Sequence, residues 1–217
     1  MTAAATLAPW HREFPGLLAG SVYAVSPEAR TSAALTMRDA GIGVHVDVMA
    51  DGEGLPAGVS PAELSDIATA LGPSRFDVHL IGSPGFVDGA LPDVLSHAPG
   101  KVFLPWAAFT EERANAVRDA GGSAWVALWR EWDVVAHPAP RWPAAPDGVL
   151  VMLIEPGTRD RCRIERLATA AACAARLPVI VDGGVTKDIA PLCVTAGVES
   201  MVVGRALLSG AADGEGE

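Results

Sequence analysis

The sequence has few cysteines and no long apolar segment, and both absences exclude classes of protein. Its three cysteines are an odd number without a C-x-x-C pair, so neither a disulfide framework nor a structural zinc knuckle is expected. No apolar run approaches the roughly 20 residues that cross a bilayer, and no basic region followed by an apolar stretch opens the chain. We therefore expect a soluble protein of the reducing cytoplasm that has no membrane partner.

Positive charge is also scarce. The chain has 16 Lys and Arg residues against 26 Asp and Glu residues, a formal net charge of −10. Nucleic acids and anionic membranes bind basic surfaces, so no nucleic-acid partner is expected. Any phosphate group on a ligand must therefore be bound by a few local groups rather than by a basic surface.

What the sequence does contain is a repeated alternation of strand and helix patterns. Half of its 217 residues are hydrophobic, enough for a sizeable core in a single α/β domain. Short runs rich in Val, Ile and Leu alternate with Ala-rich amphipathic stretches, which predicts parallel strands joined by helices. The eight predicted strands are residues 18–24, 42–49, 76–82, 100–104, 123–128, 148–154, 178–181 and 199–203.

Helix boundaries are marked by side chains of known preference. Three glycines each follow an Ala at the end of a helical stretch, where a positive φ ends a helix. These glycines are Gly41, Gly121 and Gly197. Ser60, followed by Pro61 and Glu63, has the pattern of a capping box, and Thr110 and Thr186 are predicted to be N-caps.

Eight strands with intervening helices fit either an open doubly wound sheet or a closed barrel. No G-x-G-x-x-G sequence follows an early strand, which argues against the open sheet. We therefore predict one (β/α)₈ TIM barrel over residues 17–209, with residues 1–16 as an N-terminal extension and 210–217 as a disordered tail. Prolines in residues 130–146 predict an irregular fifth connection, and the last helix is expected to span only residues 205–212.

Polar residues on three predicted strands point towards one region of this barrel. Strand periodicity places His45, Asp47 and Met49 on one face, which in a barrel is the interior. His79 lies on the neighbouring strand, and Asp182 ends the seventh strand. All lie towards the carboxyl ends of their strands, where barrel enzymes have their active sites.

Each of these residues also has an ordinary structural interpretation. A single inward His is usually a hydrogen-bonded core residue, and an Asp before Gly-Gly often belongs to a turn. Two imidazoles and two carboxylates buried together without partners would cost several kcal/mol, however, and a divalent cation removes that penalty. His45, Asp47, His79 and Asp182 therefore predict one metal ion, with zinc favoured and iron(II), manganese or cobalt also suited.

Three segments resemble the signature segments of ribulose-phosphate 3-epimerases, in the same order and spacing. They read His45-Val46-Asp47-Val48-Met49, Asp77-Val78-His79-Leu80 and Val181-Asp182-Gly183-Gly184-Val185. Weaker matches are Gly20-Ser21-Val22, Met152, Pro156-Gly157 and the stretch from Ala196 to Gly204. The resemblance covers nearly the whole chain and implies a ribulose-phosphate-binding barrel.

The resemblance also implies a reaction and roles for individual residues. It implies interconversion of D-ribulose 5-phosphate and D-xylulose 5-phosphate, a step of pentose phosphate metabolism, with Asp47 and Asp182 as acid and base on opposite faces of the substrate. The substrate-binding residues would be Ser21, Met49, Met152 and Gly157. The phosphate-binding residues would be Gly183, Gly184, Gly204 and Arg205, the glycines presenting backbone N–H groups at helix N-termini. The two methionines equally fit ordinary core positions, and Arg205 equally fits a solvated residue in a first helical turn.

The loops depart from the family pattern. Thr158-Arg159-Asp160-Arg161 replaces a glycine-rich cover, residues 50–56 carry an extra Ala50, and residues 129–146 lack an Asn-Pro turn. Trp106, Trp129 and Trp132 either line a larger pocket or pack under loops. Three functions therefore stay open: the family reaction, related chemistry on another ketose with or without a phosphate, or a binding or assembly role without catalysis. A short last helix would expose an apolar patch, so a homo-oligomer is expected.

Overall fold

A closed barrel of eight parallel strands forms the centre of the protein in the computed structural model, which describes residues 5–132, 134, 140–158 and 160–209. The strands are β1 (Thr6–Leu7), β2 (Leu18–Ser21), β3 (Gly43–Met49), β4 (Asp77–Ile81), β5 (Lys101–Pro105), β6 (Ser123–Leu128), β7 (Gly148–Met152), β8 (Val179–Asp182), β9 (Ser200–Val203) and β10 (Leu208–Ser209). β2 to β9 make the barrel in sequence order, and β9 closes it against β2. The predicted TIM barrel is confirmed, with every strand boundary within three residues of its expected place.

Helices connect most of the barrel strands on the outside. They are α1 (Arg30–Asp39), α2 (Pro61–Leu71), α3 (Pro84–Ser96), α4 (Glu111–Asp119), α5 (Leu167–Ala174) and α6 (Ala190–Thr195). Between β6 and β7, the described residues 129–132, 134 and 140–147 contain no helix, which confirms the irregular fifth connection. Among all described residues, no helix is long and apolar enough to cross a membrane.

The strands carry two separate apolar layers because successive side chains point to opposite faces. Outward residues such as Val46, Val78 and Leu80 are fully buried against the helices. Inside the barrel, a second cluster is formed by Ala19, Phe103, Trp125, Ala127, Trp129, Leu150, Met152, Ile180 and Val202. On β3 and β4 most inward positions are instead polar, and three of them, His45, Asp47 and His79, belong to the candidate site.

The signals for helix ends are mostly confirmed. The φ angles of Gly41, Gly121 and Gly197 are 72°, 87° and 77°. Ser60 makes the full capping box with Glu63, and the Thr110 side chain caps α4. The N-cap predicted at Thr186 is wrong, because α6 begins only at Ala190. The carbonyl of Thr186 instead accepts backbone N–H bonds in the turn before that helix.

The expected last helix is also wrong within the described residues. Residues 205–207 form a turn, and β10 then pairs antiparallel with β1, aligning Leu208 with Leu7. Leu207 and Leu208 are buried, and the Trp10 indole N–H donates to the carbonyl of Ala206 at 3.0 Å. The first and last strands of the described chain therefore pack together, and residues 210–212 of the expected helix lie outside the described residues. The part of the predicted N-terminal extension that is described contributes to the core.

The capping box of α2 gives a test of this local structure. Ser60→Ala removes the hydroxyl that accepts the Glu63 N–H bond, so we expect the free energy of unfolding to fall by about 1 kcal/mol. Ser65→Ala, in the interior of the same helix, is the matched control and should change it by less than about 0.5 kcal/mol. Urea denaturation of both variants measures the difference, and equal stabilities would contradict the role of the cap.

Candidate metal centre and active site

The four residues singled out from the sequence meet at the carboxyl end of the barrel. One ligand atom from each of His45, Asp47, His79 and Asp182 lies within 4.8 Å of every other. Asp47 Oδ1 is 3.2 Å from His45 Nε2 and 3.4 Å from His79 Nδ1. His79 Nδ1 is also 3.8 Å from Asp182 Oδ2. The predicted cluster is therefore present in the fold.

Strand register explains why these side chains meet. In the parallel pair β3–β4, Asp47 lies opposite His79, so both side chains enter the barrel at one level. Asp182 is the last residue of β8. Around the closed barrel, β8 is three strands away from β3, with β2 and β9 between them. Two carboxylates thus approach the barrel axis from different sides.

Asp47 is fixed by contacts with both of its oxygens. The Ser21 hydroxyl donates to Asp47 Oδ2 at 2.6 Å, and both residues are buried. Oδ1 is left facing the two imidazoles. Ser21 ends β2, so this hydrogen bond also joins neighbouring strands at the mouth of the barrel.

The cluster shifts the proton affinities of its own members. Burial alone would lower the pKa of His45, but the Asp47 carboxylate outweighs it and raises the pKa to about 9. Burial opposes ionisation of Asp47 as well, yet His45 and His79 hold the pKa of that carboxyl well below its usual range. Burial raises the pKa of Asp182 to about 6, and the negative charge of Asp47 acts in the same direction. The two carboxyl groups therefore have opposite proton affinities.

The donor set fits a divalent cation. His79 Nδ1 is buried, and among the described residues it has no hydrogen-bond partner, a state that costs free energy unless another group binds that nitrogen. Two imidazole nitrogens and two carboxylate oxygens at this spacing are ligands typical of zinc and related transition metals. The cluster could therefore hold a metal ion. Asp47 Oδ1 and His79 Nδ1 are the atoms at the centre of the cluster.

Above the cluster lies a cavity of about 820 Å³. Asp47 and Asp182 reach its surface, whereas His45 and His79 are buried, each about 1% exposed. The other residues predicted to bind substrate or phosphate all line it: Ser21, Met49, Met152, Gly157, Gly183, Gly184, Gly204 and Arg205. Their roles stay predictions, but the fold brings them to one place.

Backbone conformation and close packing explain why glycine stands at positions 183 and 184. Their φ angles are 113° and 67°, and an added Cβ would approach Ile154 to 2.5 Å and Cys162 to 3.0 Å. These glycines let the loop after β8 pack against the loop after β7. α6 begins six residues later and a turn follows Gly204, so the expected helix N-termini at these glycines are wrong. Arg205 likewise lies in that turn and not in a first helical turn.

The tryptophans do not enlarge the cavity. Trp129 is buried beneath the guanidinium groups of Arg130, Arg163 and Arg166, which lie 5.2, 4.9 and 4.7 Å from its ring centre. Trp132 is also buried, and Trp106 packs against Trp142 with ring centres 5.6 Å apart. Among the described residues, the cavity lining comes from the ends of β2, β3, β4, β7, β8 and β9 and from the loops after β2, β7, β8 and β9. The packing of these rings under loops, one of the two alternatives, is therefore the one observed.

Two of the unusual loops meet over the cavity. A Cβ on Gly157 would lie 2.8 Å from Leu55 Cδ2, so the loop after β3 touches the loop after β7. Thr158, Asp160 and Arg161 line the cavity, while Arg159 lies outside the described residues. Sequence reasoning missed Tyr23, which also lines it; its position two residues after Ser21 was the only available signal.

The fold is shared with several solved barrels of low sequence identity. Phosphoribosyl anthranilate isomerase from Thermus thermophilus has 16% identity and a TM-score of 0.62, with 88% of each chain covered. The same enzyme from Thermococcus kodakaraensis has 14% identity and a TM-score of 0.61, covering 88% of this chain and 89% of that one. Orotidine 5'-phosphate decarboxylase from Pyrococcus horikoshii has 14% identity and a TM-score of 0.56, covering 88% and 90%. These likenesses are evidence for the fold alone.

Sequence comparison identifies the family. No curated protein sequence matches the chain significantly. The model of the ribulose-phosphate 3 epimerase family, in contrast, matches residues 17–208, which span the whole barrel and all four residues of the cluster. The chain therefore belongs to the ribulose-phosphate 3 epimerase family.

Proposed function

We propose that this protein is a metal-dependent epimerase that inverts the carbon next to the ketone of a ketose phosphate, with D-ribulose 5-phosphate and D-xylulose 5-phosphate as its substrate pair. The observation that carries the proposal is the placement of Asp47 and Asp182. They reach one cavity from strands on different sides of the barrel, beside two buried imidazoles. Family membership supports the same reaction.

Epimerisation needs two proton-transfer groups, because one proton leaves one face of the carbon and another arrives on the opposite face. Asp47, whose pKa is held low, is ionised at neutral pH and is therefore in the form that can accept a proton. Asp182, with a pKa raised to about 6, is protonated in a minor fraction of molecules at neutral pH, and that form can deliver a proton. The reverse reaction exchanges these roles.

The ion would be held by His45, Asp47, His79 and Asp182. When bound, a divalent cation supplies stabilisation of the negative charge that develops on the substrate oxygen as the proton leaves. We propose zinc as the ion, and iron(II), manganese and cobalt accept the same ligands.

The cavity walls supply binding and exclusion of water. Met49, Met152 and Ile81 give an apolar surface beside the carboxylates, which would keep bulk water from the proton-transfer step. Gly204 and Arg205 lie on the loop after β9 and are proposed to bind the phosphate through backbone N–H groups and the guanidinium. Ser21 and Gly157 complete the substrate contacts.

A different ketose is the second candidate substrate, and one observation favours it. Thr158, Asp160 and Arg161 replace the family's glycine-rich cover and line the cavity. Charged and hydroxyl groups at that position can select hydroxyl or anionic groups of another sugar.

The proposal also includes the cellular location and the oligomeric state of the protein. We propose a cytoplasmic location, in keeping with the three free cysteines Cys162, Cys173 and Cys193. We also propose a homo-oligomer. The exposed Leu192 and Val194 on α6, 45% and 43% exposed, are apolar groups that a second copy could cover.

Metal binding should release a proton. His45 has a pKa of about 9 without metal, so it is protonated at pH 7 and must lose that proton to become a ligand. We expect release of about one proton per ion at pH 7, and an apparent affinity that rises with pH until about pH 9. Asp182, with its pKa near 6, adds to this dependence only in more acidic solution.

Isothermal titration of the chelator-treated protein with Zn²⁺, in buffers of different ionisation enthalpy, counts these protons. The His45→Gln variant is the control and should bind more weakly and release fewer protons. One ion per chain is expected, and a proton count near zero at pH 7 in the wild type would contradict the assigned protonation of His45.

Removing either acid/base group should stop turnover without unfolding the protein. Asp47→Asn and Asp182→Asn keep the side-chain shape, and we expect each to lower kcat by about 10²–10⁴-fold. Asp51→Asn, an exposed carboxylate on the loop after β3, is the matched control and should retain wild-type activity. Circular dichroism checks that all three variants fold.

Solvent exchange tests the chemistry independently of the variants. Turnover in D₂O should place deuterium on the inverted carbon, because the delivered proton comes from a carboxyl group in exchange with solvent. Turnover without deuterium uptake would indicate hydride or aldol chemistry instead. Loss of activity in only one of the two aspartate variants would mean that the two-face assignment is wrong.

The phosphate site can be tested at Gly204 and Arg205. A Cβ at Gly204 would meet Ala24 at an ordinary 3.5 Å, so Gly204→Ala should fold. Replacement of Gly183 or Gly184 would disturb loop packing and is not a clean test. We expect Gly204→Ala and Arg205→Met to raise KM for D-ribulose 5-phosphate about tenfold with little change in kcat, because they contact a non-reacting group.

Lys187→Met serves as the matched cation control. Lys187 pairs with Glu13 outside the cavity, so its removal should leave KM unchanged. The substrate panel includes a six-carbon ketose phosphate and the unphosphorylated sugars. Equal use of free and phosphorylated sugars would exclude the phosphate site.

A further inference from the structure

A second, smaller cavity lies inside the barrel on the amino-terminal side of the candidate metal centre. Its volume is about 190 Å³. Its polar lining consists of His45, Asp77, Lys101, Glu199 and Ser200. A cavity of this size holds several water molecules, since one water occupies about 30 Å³ of liquid volume.

The His45 ring separates this lower cavity from the metal centre. Its Nε2 atom faces Asp47 Oδ1 at 3.2 Å, on the side of the candidate ion. The ring also lines the lower cavity, and within the described part of the chain no protein atom accepts a hydrogen bond from Nδ1. A metal-bound His almost always donates from its second ring nitrogen to a carboxylate, a carbonyl or a water. The lower cavity is where that acceptor must lie.

Asp77 is the carboxylate best placed to accept this hydrogen bond. It is the first residue of β4 and lies opposite His45 in the β3–β4 register, so both side chains enter the barrel side by side. The Lys101 ammonium lies 3.5 Å from Asp77 Oδ2, and it also lies over the Trp125 ring. The Asp77 side chain is 21% exposed, whereas Glu199, the other carboxylate of the cavity, belongs to an exposed residue. Asp77 is therefore held at the floor of the barrel, next to His45.

We propose that Asp77 is a positioning residue for the metal centre: through water in the lower cavity its carboxylate accepts the hydrogen bond of the His45 Nδ1–H group, and Lys101 fixes the carboxylate. The inference rests on the proposed function, since it needs His45 to be a metal ligand. It adds that the ligand is oriented from the opposite end of the barrel, by residues that never touch the substrate. Asp77 thereby fixes which His45 nitrogen is free to bind the ion.

Metal affinity, measured without any substrate, tests the proposal. The chelator-treated protein is titrated with Zn²⁺ in competition with a chromophoric chelator. Asp77→Asn should raise the dissociation constant about 10–100-fold, the usual effect of losing such a partner. Glu199→Gln removes the other carboxylate of the cavity and should leave the affinity within about twofold of wild type.

Two further variants separate orientation from simple charge. Asp77→Asn combined with Lys101→Met restores the net charge of the pair, so a purely coulombic effect would disappear. The weakening of the hydrogen bond, from a charged carboxylate acceptor to a neutral amide acceptor, would persist. Ala19→Val keeps both charges but fills part of the lower cavity, which Ala19 lines. It should weaken metal binding by excluding the water, and it provides the test if Asp77→Asn does not fold.

The outcomes distinguish this inference from the function on which it rests. Wild-type affinity in Asp77→Asn or Ala19→Val, or recovery of affinity in the double variant, would overturn the positioning role while leaving the epimerase proposal intact. A wild-type protein that binds no divalent ion would overturn both. The expected result is weaker binding in Asp77→Asn, in the double variant and in Ala19→Val, with Glu199→Gln unchanged.

Discussion

The structure is organised around two carboxylates and two imidazoles that lie within 4.8 Å of one another at the mouth of a barrel, with Asp182 half-buried and the other three residues buried. Burial opposes the charge on His45 and Asp47, but their mutual attraction outweighs it, so the pKa of His45 is raised and that of Asp47 is lowered. At Asp182 burial prevails and raises the pKa. The two carboxyl groups therefore differ in proton affinity, with the pKa of Asp47 held low and that of Asp182 raised to about 6. A divalent cation would satisfy all four groups at once, including the His79 nitrogen, which forms no hydrogen bond with any described residue.

The rest of the barrel holds this arrangement in place. The β3–β4 register brings Asp47 and His79 to one level, and the Ser21 hydrogen bond fixes the second oxygen of Asp47. Phe103 packs against both imidazoles, with ring centres 5.4 and 6.1 Å away. A site whose side chains are locked by register and packing is preorganised, which is what proton transfer between fixed groups requires.

Side chains that fill one side of the barrel mouth limit the extent of the cavity. On the β6 side, Trp129 occupies the interior and three guanidinium groups cover it. Arg166 also donates to the carbonyls of Met152 and Leu128, joining the ends of β7 and β6. The cavity is therefore left to the ends of β2 to β4 and of β7 to β9. Its wall includes the loop after β7, where the chain departs from the family pattern, and the loop after β9, which binds phosphate in our proposal.

Local pattern alone determined the barrel and the cluster. The eight alternations of strand and helix, and the period-2 placement of His45 and Asp47, follow from how strands expose successive side chains. Contacts between distant parts of the chain decided the rest. Residues 205–209 have a helical pattern but form a turn and a strand, because Leu208 pairs with Leu7, about 200 residues earlier. The sequence predicts that Gly183 binds a ligand. In the structure, however, packing against Ile154 already leaves no room for a side chain at this position. Such pairings depend on which surfaces meet after the barrel closes, and one sequence carries no local signal for them.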